Sequence, residues 1–143
     1  MADSEGNQEY LGIDSSVLIA YLVPEHPLHK TAKSLTTENH AVNATVMHET
    51  YLTAVFKLRR RPEQTVKTLL NYMRLAMCLP LSEKTVELGL RLASSHGLGG
   101  RDALILASYL DSKTVRRFVT MDSALLRLKK VMLGKKILSI SRP

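Results

Sequence analysis

The chain has 143 residues, a length for one domain, and 45% of them are hydrophobic, enough to build a core from aliphatic side chains in the absence of tryptophan. No run reaches the roughly 18 consecutive apolar residues of a membrane span, and the polar opening MADSEGNQEY is unlike a signal peptide. The single cysteine, Cys78, excludes an internal disulfide framework, and the net charge of +7 points towards polyanionic partners.

Residues 1–9 read as a mobile tail, and 10–143 as one domain. Tyr10 to Ile13 is a short buried strand that ends in Asp14, and Ser15 to Leu22 is a helix stopped by Pro24. His29 to Thr37 is a second helix and Ala41 to Ala44 a weak strand. Val46 to Arg60 has the apolar spacing of a long amphipathic helix, within which Glu49 opens the run TYLTAVFKL. Pro62 suits the first turn of a helix reaching Leu75. Met77 to Leu81 is a short, edge-like strand because of Pro80. Cys78, among apolar neighbours, is expected as a buried thiol in a reducing cytoplasm. Ser82 is placed to cap a helix ending near Ser95, and the glycines at 97, 99 and 100 mark a break. Asp102 to Tyr109 is a helix, Phe118 to Met121 a strand, Ser123 to Val131 a helix, and Ile137 to Ser139 the last strand.

Strands alternating with helices predict a three-layer α/β/α sandwich around a central parallel sheet. With right-handed crossovers the expected strand order is 3-2-1-4-5, and the direction reverses between the first and fourth strands. Ligands in open α/β sheets bind beyond the carboxyl edge at such a reversal. Asp14 and Asp122 follow these two strands.

Asp14, Glu49, Asp102 and Asp122 are therefore the candidate site. Each alone has a plain structural reading, since acids near helix starts cap N–H groups and meet the positive dipole end, worth about 0.3–1 kcal/mol. Convergence changes the balance. Two unit charges 4 Å apart repel by roughly 1 kcal/mol in water and about 4 kcal/mol at an effective dielectric of 20. An oxygen-only cluster of this kind suits one or two Mg²⁺ or Mn²⁺ ions, and such ions serve in-line displacement at phosphorus. Ser16 and Thr120, each two residues from an acid, are placed to hydrogen-bond a carboxylate. The histidines form no metal motif: His26, His29, His40 and His48 read as structural or exposed.

The positive charge is concentrated at Lys57, Arg59, Arg60 and Arg61 and in the C-terminal quarter. Arg59, Arg60, Arg61, Arg101, Lys129 and Lys130 are candidate phosphate contacts. A basic run before Pro62 equally suits a helix C-terminus.

The segments YLGIDSSVLIAYL, VNATVMHETYLTAVF, HGLGGRDALILASYL and RFVTMDSALLRL, in this order and spacing, resemble the PIN-domain nucleases, most of all the single-domain VapC-type toxins. The resemblance implies a metal-dependent endoribonuclease. Asp14, Glu49, Asp102 and Asp122 would be both the catalytic and the metal-binding acids, supported by Ser16 and Thr120. It also implies a homodimer and a cognate antitoxin that blocks the site. Some relatives carry a further acid after the last one, where this chain has Ser123, Ala124 and Leu125. Three alternatives stand beside this reading: an RNA-processing relative without an antitoxin, a non-catalytic RNA-binding or scaffold module, and an aspartyl-phosphate phosphatase. The last normally has an Asp where Ser16 stands.

Overall fold

β1 (Tyr10–Ile13) is four residues long, and three of them are buried. It has no polar face because it lies inside a sheet covered by helices. A computed structural model describes residues 8–143; the expected tail at 1–9 falls almost wholly outside them. β1 leads through Asp14 into α1 (Ser15–Leu22), followed by α2 (His29–Lys33) and a 3₁₀ turn (Ser34–Thr37). β2 (His40–Asn43) runs into α3 (Ala44–Leu52), and α4 (Pro62–Leu75) leads to β3 (Met77–Leu79). α5 (Glu83–His96) and α6 (Gly100–Asp111) pack together and return the chain to β4 (Val115–Val119). The chain closes with α7 (Ser123–Leu128), β5 (Lys130–Leu133) and β6 (Lys136–Ser141).

The sheet order is β3-β2-β1-β4-β6-β5. β1 pairs in parallel with β2 and β4, and β4 in parallel with β6. The chain steps outward from β1 to β3, then crosses back to β4 on the other side of β1. The reversal falls between β1 and β4 as expected, and the predicted last strand is β6. The additional strand is β5, which pairs antiparallel with β6 at the sheet edge. Sequence reading extended the preceding helix over part of it; α7 instead ends at Leu128, and Lys129 takes a positive φ of 63° that stops the helix.

Local chemistry accounts for the other boundaries. The predicted helix over Val46–Arg60 is α-helical only to Leu52, continues as a π-helical turn at Thr53–Lys57, and ends before Arg59 at a φ of 58°. Pro62 occupies the first turn of α4. Ser82 caps α5 in a reciprocal arrangement with Thr85, and Gly97 closes that helix in the left-handed conformation at a φ of 65°. Cys78 is exposed, not buried, because β3 is the outer strand of the sheet. His40 is buried: Nε2 bonds the Leu35 carbonyl at 2.7 Å, and Nδ1 bonds the Tyr72 hydroxyl at 2.8 Å. His29 opens α2 and bonds the Ala20 carbonyl.

The core joins Leu11, Ile13, Val17, Leu18, Val42 and Val46 to Ile105, Leu106, Tyr109 and Phe118. Tyr109 lies with its ring against β1 at Gly12, where an added Cβ would stand 2.7 Å from the ring. Its hydroxyl reaches the carbonyls of Ile13 at 2.6 Å and Ala41 at 3.2 Å. One buried side chain thus ties together the ends of β1 and β2, immediately before Asp14.

Candidate active site

Asp14 leaves β1 as the N-cap of α1, where Oδ1 accepts from the Ser15 N–H at 2.9 Å. Oδ2 accepts from Thr120 Oγ1 at 2.6 Å and from Ser16 Oγ at 3.1 Å. Both hydroxyls are oriented from behind: Ser16 Oγ accepts from the Met121 N–H, and Thr120 Oγ1 from the Asp122 N–H. The carboxylate is therefore clamped between the start of α1 and the β4–α7 turn, with 4% of the residue exposed. Burial raises its pKa, the bonds from Thr120, Ser15 and Ser16 oppose the rise, and Asp102 adds to it.

The other acids come from three further elements. Asp122 caps α7, with Oδ1 accepting from the Leu125 N–H at 3.0 Å. Asp102 lies in the first turn of α6. Glu49 sits within α3, on the helix in which the sequence places it. Its Oε2 pairs with Arg101 at 3.2 Å, and Oε1 accepts from Ser15 Oγ at 3.5 Å. Burial raises the Glu49 pKa; Arg101 opposes the rise, and Asp14 and Asp102 add to it. Burial also raises Asp102, with Asp122 adding and Arg101 opposing. Asp14 and Glu49 thus both feel Asp102, Glu49 also feels Asp14, and Asp102 feels Asp122.

The donor set fits a hard divalent cation in kind, with four carboxylates, hydroxyls beside them and no sulfur or imidazole. Its arrangement is more open than a finished ligand set: among the described residues no three acids, histidines or cysteines come close enough together to hold one ion. Glu49 is drawn to Arg101, and Asp14 to its hydroxyls. Asn43, at the end of β2 next to β1, caps α3 through Oδ1, while its buried Nδ2 has no acceptor.

These shifts set a pH dependence. A carboxyl with a raised pKa in the folded state binds protons more readily there than in the unfolded chain. The folded state therefore loses stability as pH rises from the usual carboxylate range through the raised values. In EDTA, the stability contributed by this rim is expected to fall as pH rises above the usual carboxylate range. Asp14→Asn should flatten that slope. Equal slopes for the two proteins would show that Asp14 is not a strained acid.

The basic candidates lie to either side. Arg59, Arg60 and Arg61 line a groove of about 480 Å³ with Ile19, Val23, Ala54 and Leu58. The groove lies at the far end of α1 from Asp14, roughly 12 Å for eight helical residues. Both terminal nitrogens of Arg60 hold Glu25 at 3.1 Å. Lys129 and Lys130 are exposed just past α7. Of the six basic candidates, Arg101 alone is paired with a rim acid among the described residues. Sequence reading missed Ser15, Gly12, Asn43, Tyr109 and the Arg101–Glu49 pair. The DSS triplet was the one visible sign of Ser15.

The architecture defines a class: an open, mainly parallel α/β sheet whose carboxyl edge, at the strand-order reversal, carries acids from four elements. The chain belongs to the PIN-domain family, whose profile matches residues 12–131, a span that includes all four acids. No curated protein matches the chain in sequence. Among solved structures it is similar to VapC20 of Mycobacterium tuberculosis, a sarcin-ricin-loop-cleaving toxin. That likeness has a TM-score of 0.66 and 16% identity, over 78% of this chain and 89% of that one. It is also similar to VapBC2 of Rickettsia felis bound to a promoter DNA fragment, with a TM-score of 0.63 and 14% identity, over 92% and 98%. A toxin–antitoxin complex from Klebsiella pneumoniae has a TM-score of 0.61 and 20% identity, over 80% and 88%. At these identities the likeness is one of fold.

Proposed function

We propose that the chain is a divalent-metal-dependent endoribonuclease and the toxin of a toxin–antitoxin pair. The observation that carries this reading is the buried Asp14, clamped by two hydroxyls beside the strand-order reversal and coupled electrostatically to Asp102 and Glu49. Capping alone needs neither the burial nor two hydroxyl donors on one oxygen. Asp14, Glu49, Asp102 and Asp122 would hold one or two Mg²⁺ or Mn²⁺ ions. When bound, such an ion supplies Lewis acidity and a lowered pKa for water. The chain's own residues do the rest. Ser16 and Thr120 fix the direction of Asp14, and Ser15 steadies Glu49. Arg101, the Arg59–Arg61 cluster, Lys129 and Lys130 attract and align the phosphate backbone.

Cytoplasmic location, homodimer formation and an antitoxin partner belong to the same proposal. The antitoxin is supported by the toxin–antitoxin and VapBC complexes among the structural relatives. No helix of the described residues is long and apolar enough to cross a membrane. The capping bonds of Asp14 and Asp122 favour a second reading, a non-catalytic RNA-binding module whose acids only start helices.

The test is cleavage of a panel of single-stranded and structured RNAs, including a sarcin–ricin-type loop, by wild-type and Asp102→Asn protein with Mg²⁺, Mn²⁺ or EDTA. Cutting is expected with metal, and EDTA or the substitution should abolish it. RNA retained equally in EDTA, with no cutting under any condition, would establish the binding module instead.

A further inference from the structure

We infer that Arg101 is the internal counter-ion of the acid rim, and that a divalent cation must displace it from Glu49, so that this one side chain sets how tightly the ion is held. The inference rests on the metal-dependent reading above and adds a competitor to it. The guanidinium lies 3.2 Å from Glu49 Oε2, and the two side chains differ sharply in exposure, 73% for Arg101 and 18% for Glu49. The acid is half sequestered, whereas its partner is free to leave.

The position of Arg101 is unfavourable on local grounds. It sits in the first turn of α6, where the helix dipole disfavours a cation. The acids around it compensate, since it opposes the pKa rise of both Glu49 and Asp102. A monovalent, exposed guanidinium held by a pair of the surface class is weakly retained. A divalent ion drawn to the same carboxylates wins the competition, but against the lost pair and against repulsion from the arginine. The displaced guanidinium then stands at the rim beside Asp102, facing the approach of a phosphate. By reciprocity, a phosphate that draws Arg101 away from Glu49 tightens the ion, and the ion tightens the phosphate.

The experiment is calorimetric titration of Mn²⁺ alone, without RNA, into wild-type, Arg101→Gln, Arg101→Ala, Arg101→Lys and Asp14→Asn protein, with melting curves in EDTA for each. Arg101→Gln and Arg101→Ala are expected to bind Mn²⁺ about three- to tenfold more tightly than wild type. Arg101→Lys, which keeps the charge, should stay close to wild type, and Asp14→Asn should lose binding. In EDTA both uncharged variants should melt no higher than wild type, because Glu49 has lost its neutralising partner. A merely structural role for Arg101 would weaken Mn²⁺ binding together with stability. Unchanged or weaker Mn²⁺ binding in both uncharged variants overturns the inference and leaves the metal site standing. Absence of Mn²⁺ binding by wild type overturns the inference together with the metal-dependent reading, and the wild-type titration alone tells the two failures apart.

Discussion

Asp14→Asn is expected to lower RNA cleavage by about a hundredfold or more while the fold survives. The substitution keeps an oxygen for the Ser15 N–H, so the helix cap persists. What disappears is the negative charge, together with an acceptor for the Thr120 and Ser16 hydroxyls. The charge is held in the folded state against burial and against Asp102, so its removal should leave the metal-free protein at least as stable as wild type. Thr120→Val is the informative companion. It leaves the charge in place but removes the 2.6 Å bond and the acceptor for the Asp122 N–H, and so misaims Asp14. Its expected loss is about 10–100-fold, the usual range for residues that orient a metal ligand. Single-turnover cleavage and thermal melting measure both variants. An Asp14→Asn protein that melts like wild type and cuts at the wild-type rate would remove Asp14 from the site.

Gly12→Ala should be the most destabilising conservative change in the chain, about 1–3 kcal/mol, read in a urea titration. The new methyl would stand 2.7 Å from the Tyr109 ring, well inside contact distance. The ring has nowhere to go. Tyr109 is fully buried, packs with its ring centroid 5.5 Å from that of Phe118 in a tilted pair, and is held by its hydroxyl to the Ile13 carbonyl. Relief must come from β1 itself, two residues before Asp14, so any cleavage should fall along with stability. Combining Gly12→Ala with Tyr109→Leu should cost less than the sum of the two single changes, because the clash would be removed. Strict additivity would show that the glycine serves another purpose.

Asp14, Ser16, Thr120 and Asp122 were legible because each sits at the end of a strand or the start of a helix, where one-dimensional pattern and three-dimensional place coincide. The reversal beside β1 was legible for the same reason, since crossover handedness and strand count leave few alternatives. What escaped has a common cause. β5 is a four-residue strand directly behind a helix, and one exposed lysine at positive φ separates them. The π-helical turn keeps the apolar spacing of an ordinary helix, so periodicity ran straight through it. Cys78 reads as buried by its neighbours and is exposed by its place on the outer strand. Tyr109 carries no mark of its role, because its contacts to Ile13 and Ala41 are made by folding and not by sequence proximity. The Arg101–Glu49 pair is invisible for the same reason.

The clamp on Asp14 joins one end of the chain to the other, since its donor Thr120 follows the strand that enters the sheet beside β1. A nascent polypeptide still on the ribosome has Asp14 and Glu49 long before it has Thr120 and Asp122. Until β4 has emerged and inserted next to β1, β1 lacks one of its two neighbours and Asp14 lacks its Thr120 donor. The Asp14 carboxylate therefore reaches its clamped arrangement only once β4 has been made and paired with β1.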